Sequence, residues 1–140
     1  MEYKRYGDKV ALRLDKGDEI NDSIYKVAKA EKITAASISG IGATDDFTVG
    51  VFSLKNGKYD IFSFTENHEI TALIGNITEV NGEPYIHTHI TCAKFGGETV
   101  GGHLIKAVVS LTAEIVIDII SAKIDRYHDD ALNINKWLLR

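Results

Sequence analysis

The hydrophobic and polar positions divide the chain into one helical segment and a series of strands. Apolar residues recur at helical spacing from Ile20 to about Glu31, which predicts an amphipathic helix with Asp18 as its N-cap. A short apolar strand is predicted before it, over residues 10–14. The glycine-punctuated run 35–43 follows the helix and is typical of a buried strand that another backbone approaches closely.

Strands are predicted through most of the remaining chain. Residues 47–54 and 59–64 flank Asn56-Gly57, a pair that favours the positive φ values of a type I′ hairpin turn. Further strands are predicted over residues 69–80, 85–94, 99–104 and 109–121. The last strand is apolar on both faces, with Leu111, Ala113, Ile115, Ile117 and Ile119 on one and Val108, Val116 and Ile120 on the other. We therefore expect the helix to cover one face and another subunit the other.

Length and composition limit the classes of protein that fit. A chain of 140 residues predicts a single domain, with its core over about residues 9–120 and a polar tail over 122–140 whose packing the pattern leaves open. One cysteine excludes an intramolecular disulfide. No apolar span of about 18 residues and no signal peptide are apparent, so we expect a soluble cytoplasmic protein without membrane contact.

The charge balance bears on nucleic-acid binding. The net charge is −4, from 16 basic and 20 acidic residues, and the early basic residues alternate with aspartates. Binding to a phosphate backbone normally needs a basic excess on one surface. We therefore do not expect the isolated chain to bind nucleic acid.

The candidate chemistry is concentrated in three histidines. His87 and His89 are two residues apart on a predicted strand, so both project from the same face. The next strand carries His103. Imidazole groups suit zinc, and three protein ligands leave one coordination position open to water, substrate or another subunit. The alternative is that these histidines are ordinary half-buried, hydrogen-bonded side chains.

Strand register decides whether the third histidine can join the pair. A three-residue loop, 95–97, would pair Lys94 with Glu98 and place His89 opposite His103. A two-residue loop at 96–97 would instead place His103 opposite Ile90, on the wrong face. Metal binding by three histidines therefore requires the longer loop.

Four other residues bear on the composition of the site. Cys92 is an odd number of residues from the histidine pair, so it should face away and be buried as an apolar residue. Glu114 stands in an apolar strand, where a carboxylate is costly to bury unless paired. It is a candidate acceptor for a ligand imidazole or a general base, and otherwise an exposed or lysine-paired side chain. His68 and His128 are interpreted as solvated loop residues.

Ordered motifs give the chain a resemblance to a known family. They are the segments 17–20 and 39–43, the run 59–77, His-Thr-His at 87–89, Gly-Gly-His-Leu at 101–104 and Thr-Ala-Glu-Ile at 112–115. Over about residues 9–120 the chain resembles the plants and prokaryotes conserved (PPC) domain. The resemblance implies an α+β domain with a mainly antiparallel sheet packed on one principal helix, assembled as a homotrimer.

The same resemblance carries expectations about function. It implies that His87, His89 and His103 hold a divalent metal, with zinc as the usual ion. A small-molecule ligand is one candidate for the coordination position that three histidines leave open. In plants the domain is joined to AT-hooks that bind DNA, and prokaryotic members are often labelled DNA-binding. This chain lacks the Arg-Gly-Arg core of an AT-hook. Three roles stay open: a metal-dependent enzyme acting on a small molecule, a DNA-associated regulatory protein, and a noncatalytic trimeric scaffold.

Overall fold

The computed structural model describes residues 1–139, in which nine strands and one helix form an α+β fold. All nine strands belong to one sheet. In chain order the elements are β1 (Glu2–Tyr6), β2 (Lys9–Asp15), α1 (Ile20–Ala30), β3 (Ala36–Ser53), β4 (Lys58–Phe64), β5 (His68–Val80), β6 (Glu83–Ala93), β7 (Thr99–Ile119), β8 (Asp125–Asp129) and β9 (Ile134–Leu138). The sheet is mixed, because β5 and β8 pair in parallel while the other pairs are antiparallel.

Four strands close into a ring that brings distant parts of the chain together. Strand β3 pairs with both β5 and β7, and β6 also pairs with both β5 and β7. The N-terminal half of β7 therefore lies between β6 and the end of β3, while its C-terminal half lies between β2 and the start of β3. This double use of β7 positions the histidines described below.

Strands β3 and β7 are each continuous where the sequence predicted two separate strands. Their register shifts between Gly42 and Thr44, between Thr44 and Asp46, and between Thr48 and Val49, which lets the pair bend without ending. A shift also changes which side chains face the core. Leu111 is 71% exposed for this reason, although simple alternation placed it with the buried Ala113.

The helix buries the predicted apolar stripe, formed by Ile20, Ile24, Val27 and Ala28. The prediction of Asp18 as N-cap is wrong, because Glu19 caps the helix by accepting a hydrogen bond from the backbone N–H of Asp22 at 2.6 Å. Asp18 is instead held one residue outside the helix, where its carbonyl accepts from the N–H of Val109 and its carboxylate accepts from the N–H of Asp15.

The two faces of the sheet differ in exposure. One face packs under α1 and includes the fully buried Ile117. The other, which we call the open face, carries the exposed side chains of Ile41, Ile74 and Val116. The prediction that the last strand is apolar on both faces is confirmed by the alternation of Ile117 with Val116. No helix within residues 1–139 is long and apolar enough to cross a membrane.

The turn between β3 and β4 differs from the predicted type, and the described part of the tail pairs with the sheet. The hairpin of β3 and β4 is present, but the type I′ turn is wrong, since Ser53 pairs with Lys58 and only Gly57 of the Asn-Gly pair has a positive φ. A four-residue connection therefore joins these strands. Strand β1 was not predicted. The tail forms the β8–β9 hairpin, which joins the sheet where the N–H of Glu79 donates to the carbonyl of Ile124 at 2.9 Å.

Candidate metal centre

The loop between β6 and β7 has the length that the three-histidine site requires. The N–H of Lys94 donates to the carbonyl of Glu98 at 3.0 Å, which closes a three-residue loop. Gly96 and Gly97 adopt φ values of 93° and 82°, in the left-handed region that glycine tolerates. Of the two registers that the sequence left open, the structure therefore has the one that places His89 opposite His103.

The three histidines converge on one point of the open face. One ring nitrogen from each of His87, His89 and His103 lies within 4.8 Å of the other two. Their ring centroids are 5.2 to 5.5 Å apart. In the part of the chain that the structure describes, no other group of three or more histidine, cysteine or carboxylate side chains comes this close.

The imidazoles are partly shielded from solvent. His87 and His103 are half-buried and His89 is exposed. The ring of Tyr59 stacks on His103 at 5.0 Å between centroids. Gly50 faces His103 across the β3–β7 pair, and a Cβ there would lie 2.8 Å from the Tyr59 ring. The missing side chain therefore makes room for this stacking, which the sequence pattern did not indicate.

Burial and neighbouring positive charges lower the pKa of two of the imidazoles, His87 and His103. Desolvation, followed by the charges of His103, Arg126 and His89, lowers the pKa of His87 to about 4. Desolvation and His89 also lower the pKa of His103. A neutral imidazole is the form that binds a metal ion, so this environment favours binding near neutral pH.

The residues present fit a divalent metal. Nδ1 of His103 is buried and has no hydrogen-bond partner within the described residues, which is costly for a ring nitrogen in a folded protein. A cation at the centre of the cluster would give this ring a partner. Tetrahedral bonds of about 2.0–2.1 Å require nitrogens roughly 3.4 Å apart, so small side-chain rotations from the observed spacing are enough.

The tail places Arg126 near the histidine cluster, and the sequence pattern gave no sign of this cation. Arg126 on β8 lies with its guanidinium 4.5 Å from the centre of the Tyr85 ring. It donates to Asn76, the register partner of His87 on β5. No periodic pattern in the tail pointed to this contact, because the β8–β9 hairpin depends on docking against β5.

The remaining candidates lie apart from the cluster. Cys92 is fully buried as predicted, and burial raises the pKa of its thiol to about 12. Glu114 is exposed on the open face, where its register partners are Arg13 and Ile41, and it is not among the converging ligands. Since it is not buried, the desolvation cost considered from sequence does not arise.

The two other histidines have different environments. The interpretation of His68 as a solvated loop residue is wrong, because it begins β5 and is only 4% exposed. Its Nδ1 lies 2.7 Å from the carbonyl of Glu66, and its ring packs edge-on against Phe47 at 5.0 Å. The ring is therefore part of the core. His128 is exposed on β8, with its Nδ1 3.0 Å from the side-chain oxygen of Asn135.

Comparison with known proteins gives a family match and close structural neighbours. The sequence profile of the Plants and Prokaryotes Conserved (PCC) domain, the domain also abbreviated PPC, matches residues 1–121. No curated protein matches the chain. A crystal structure of a presumed DNA-binding protein from Bacteroides thetaiotaomicron is 32% identical, with a TM-score of 0.94 over 97% of this chain and 95% of that one.

Two archaeal structures are also similar. A metal-containing protein from Archaeoglobus fulgidus is 30% identical, with a TM-score of 0.86 over 99% of this chain and 97% of its own. A plant- and prokaryote-conserved protein from Pyrococcus horikoshii is 28% identical, with a TM-score of 0.86 over 99% of this chain and 94% of its own. The fold and the family are thus both shared over nearly the whole chain.

Proposed function

We propose that this chain, which belongs to the Plants and Prokaryotes Conserved domain family, is a metal-binding protein with a site open to a small molecule. His87, His89 and His103 would hold a divalent cation, and zinc is the first candidate. The observation that carries the proposal is the convergence of three ring nitrogens within 4.8 Å. The relative from Archaeoglobus fulgidus, named a metal-containing protein, supports it.

The donor set favours zinc and an open site. Imidazole nitrogens suit zinc better than magnesium or calcium, which prefer oxygen ligands. Three protein ligands are typical of catalytic zinc, whereas structural zinc sites have four. When bound, zinc supplies Lewis acidity toward a small molecule. Exposure of His89 gives such a molecule access, so a metal-dependent reaction on a small molecule fits this arrangement.

Metal analysis of variants tests the site. The chain should take up about one zinc ion after incubation with zinc and gel filtration, if the open site has the ligand set proposed. The triple variant His87→Ala/His89→Ala/His103→Ala should take up none. His128→Ala removes an exposed histidine outside the cluster and serves as the matched control. Full metal occupancy in the folded triple variant would contradict the proposal.

The open face supports a homotrimer as part of the same proposal. A row of register partners crosses it from Val116 through Ser39 and Ile74 to His89. Two members of this row, Val116 and Ile74, are exposed apolar side chains, and Ile74 lies directly opposite His89. Monomers seldom leave a large apolar patch uncovered, and closed symmetry is the common way to bury one. The threefold choice comes from the family resemblance.

A DNA-associated role is the second candidate, supported by the presumed DNA-binding relative from Bacteroides thetaiotaomicron. Charge argues against direct binding, because the net charge is −4 and some basic side chains of the sheet are already paired, as Lys9 is with Asp118 at 2.7 Å and Lys106 with Asp46 at 2.8 Å. We expect dissociation constants for duplex DNA no tighter than about 10⁻⁴–10⁻⁶ M at physiological salt. Fluorescence anisotropy that gave nanomolar, sequence-dependent binding would favour the regulatory role, and a metal-free trimer without DNA affinity would favour a scaffold.

A further inference from the structure

The β8–β9 hairpin places one cation beside the histidine cluster. This hairpin lies beyond residues 1–121, the part of the chain that matches the family profile. Arg126 is half-buried on β8 and contributes to the positive charge felt by His87. The hairpin therefore adds to the site a group that the family match does not include.

Three hydrogen bonds hold the guanidinium in a fixed orientation. Nε donates to the hydroxyl of Thr78 at 2.7 Å, and Nη2 donates to the side-chain oxygen of Asn76 at 2.8 Å. Nη1 donates to the carbonyl of Asn135 at 2.9 Å. Below it, the ring of Tyr85 lies 4.5 Å from the guanidinium carbon. The planar group is thus held on three edges and on one face.

Strand register puts this arrangement next to the metal ligands. Asn76 is the partner of His87 and Thr78 is the partner of Tyr85 across the β5–β6 pair. Alternate residues of a strand share a face, so Tyr85 and His87 project from the same side of β6. The Nη2 edge of the guanidinium, bonded to Asn76, is therefore the edge on the side of His87.

Within residues 1–139, the charge of Arg126 has no counterion. Its three acceptors are a hydroxyl, an amide oxygen and a carbonyl, and the ion pairs formed within residues 1–139 do not include it. A guanidinium has five N–H groups, so one remains on each Nη nitrogen. A half-buried cation without a carboxylate is costly unless an anion reaches it.

We propose that Arg126 makes this site selective for a small-molecule oxyanion, a carboxylate or a phosphate. The inference rests on the proposed metal site, since the oxyanion would bind in the open coordination position with Arg126 as its second partner. A guanidinium suits this role because its planar fork matches two oxygens of a carboxylate or phosphate. Loss of a charge-assisted contact of this kind should weaken anion binding about 10- to 100-fold.

Cobalt substitution gives a direct measurement of anion binding. The chain is loaded with Co²⁺, and acetate, inorganic phosphate and acetamide are titrated separately while the visible absorption of the ion is followed. Acetate and phosphate should change the spectrum at concentrations where acetamide, the neutral isostere of acetate, does not. The tighter of the two anions identifies the ligand class.

Two variants assign the effect to the arginine. Arg126→Gln should keep its cobalt content but bind the preferred anion about 10- to 100-fold more weakly. Lys136→Gln removes a positive charge from the adjacent strand β9 and should change anion affinity by less than about twofold, because Lys136 is paired with Asp129. Arg126→Lys tests the same point if the glutamine variant does not fold, since an ammonium cannot make the bidentate contact and should bind anions several-fold more weakly.

The outcomes separate this inference from the metal site. A wild-type protein that takes up no cobalt contradicts the metal site itself. Cobalt-loaded protein that binds acetate and acetamide equally overturns the selectivity. Equal anion affinity in the wild type and the folded Arg126 variants, at equal cobalt content, overturns the role of Arg126.

Discussion

His89 lies directly opposite His103 across the β6–β7 pair, with their ring centroids 5.5 Å apart. The three-residue loop 95–97, which joins β6 to β7, sets this pairing of His89 with His103. A change of one residue in register would turn His103 toward the helix-covered face. Since His87 shares a face with His89, one turn brings all three imidazoles together.

Removal of one ligand should be enough to disable metal binding. His103→Asn should lower zinc affinity by more than about 100-fold, because changes to groups that merely support a ligand already cost about 10–100-fold. Competition with a chromophoric chelator measures the affinity, with His128→Asn as the matched control. Equal zinc affinity in the two variants would exclude His103 as a ligand.

Acid should destabilise the metal-free protein through His87. Its pKa is lowered from 6.5 to about 4, so the unfolded state takes up a proton first as the pH falls. The contribution of this neutral imidazole is fully present above pH about 6.5 and is lost as the pH falls through about 4. We expect the free energy of unfolding to fall by about 1–2 kcal/mol through His87, a figure that is discounted for solvent screening of this half-buried group.

The control for acid destabilisation is a variant that cannot titrate. Urea unfolding of metal-free His87→Asn and wild type, compared between pH 7 and pH 4, isolates the contribution of His87. The free energy of unfolding should fall less steeply with acid in the variant. Parallel curves for the two proteins would contradict the depressed pKa.

Gly75→Ala should destabilise the fold, although replacement of a strand glycine by alanine usually increases stability. A Cβ at this position would overlap the backbone carbonyl of His87 and lie 2.8 Å from a methyl group of Thr88. Separation of β5 from β6 should cost about 1–3 kcal/mol. Chemical denaturation measures this loss of stability. The control is Ser37→Ala, at an exposed position of β3, whose free energy of unfolding should lie within about 0.5 kcal/mol of wild type. A stabilised Gly75→Ala protein would show that the strands are not this close.

Glu19→Ala should cost more than an ordinary cap removal. One carboxylate oxygen accepts from the N–H of Asp22 at 2.6 Å, and the other accepts from the N–H of Ala107 on β7 at 3.0 Å. Loss of both bonds should lower the free energy of unfolding by about 1–3 kcal/mol. Asp22→Ala, which removes only an exposed pair with Lys26, should cost about 0.5 kcal/mol. Thermal unfolding in which the two variants behave alike would argue against the tie to β7.

Val116→Asp should dissociate the proposed trimer without unfolding the chain. Val116 is 45% exposed on the open face, so a carboxylate there is tolerated in a monomer but not in an apolar interface. Ile117 is unsuitable for this experiment because it is fully buried, and an aspartate there would unfold the core. Light scattering after gel filtration reports the mass, with Leu132→Asp on the β8–β9 hairpin as the control. A monodisperse wild-type monomer at micromolar concentration would show that the assembly does not form.

The sequence alone determined the features that depend on neighbouring residues. Strand alternation placed His87 and His89 on one face, and helical spacing predicted the buried stripe of α1. The loop before Glu98 narrowed the register of His103 to two alternatives. Each of these follows from a local repeat or a turn length, which a short stretch of chain fixes by itself.

Only the tertiary structure decided the features that depend on distant partners. Irregular pairing between β3 and β7 exposes Leu111, and packing against Phe47 buries His68. Docking of the β8–β9 hairpin on β5 brings Arg126 to the partner of His87. No local pattern contains this information, because burial and pairing are set by whichever strand the closed ring brings alongside, and those contacts join residues far apart in the chain.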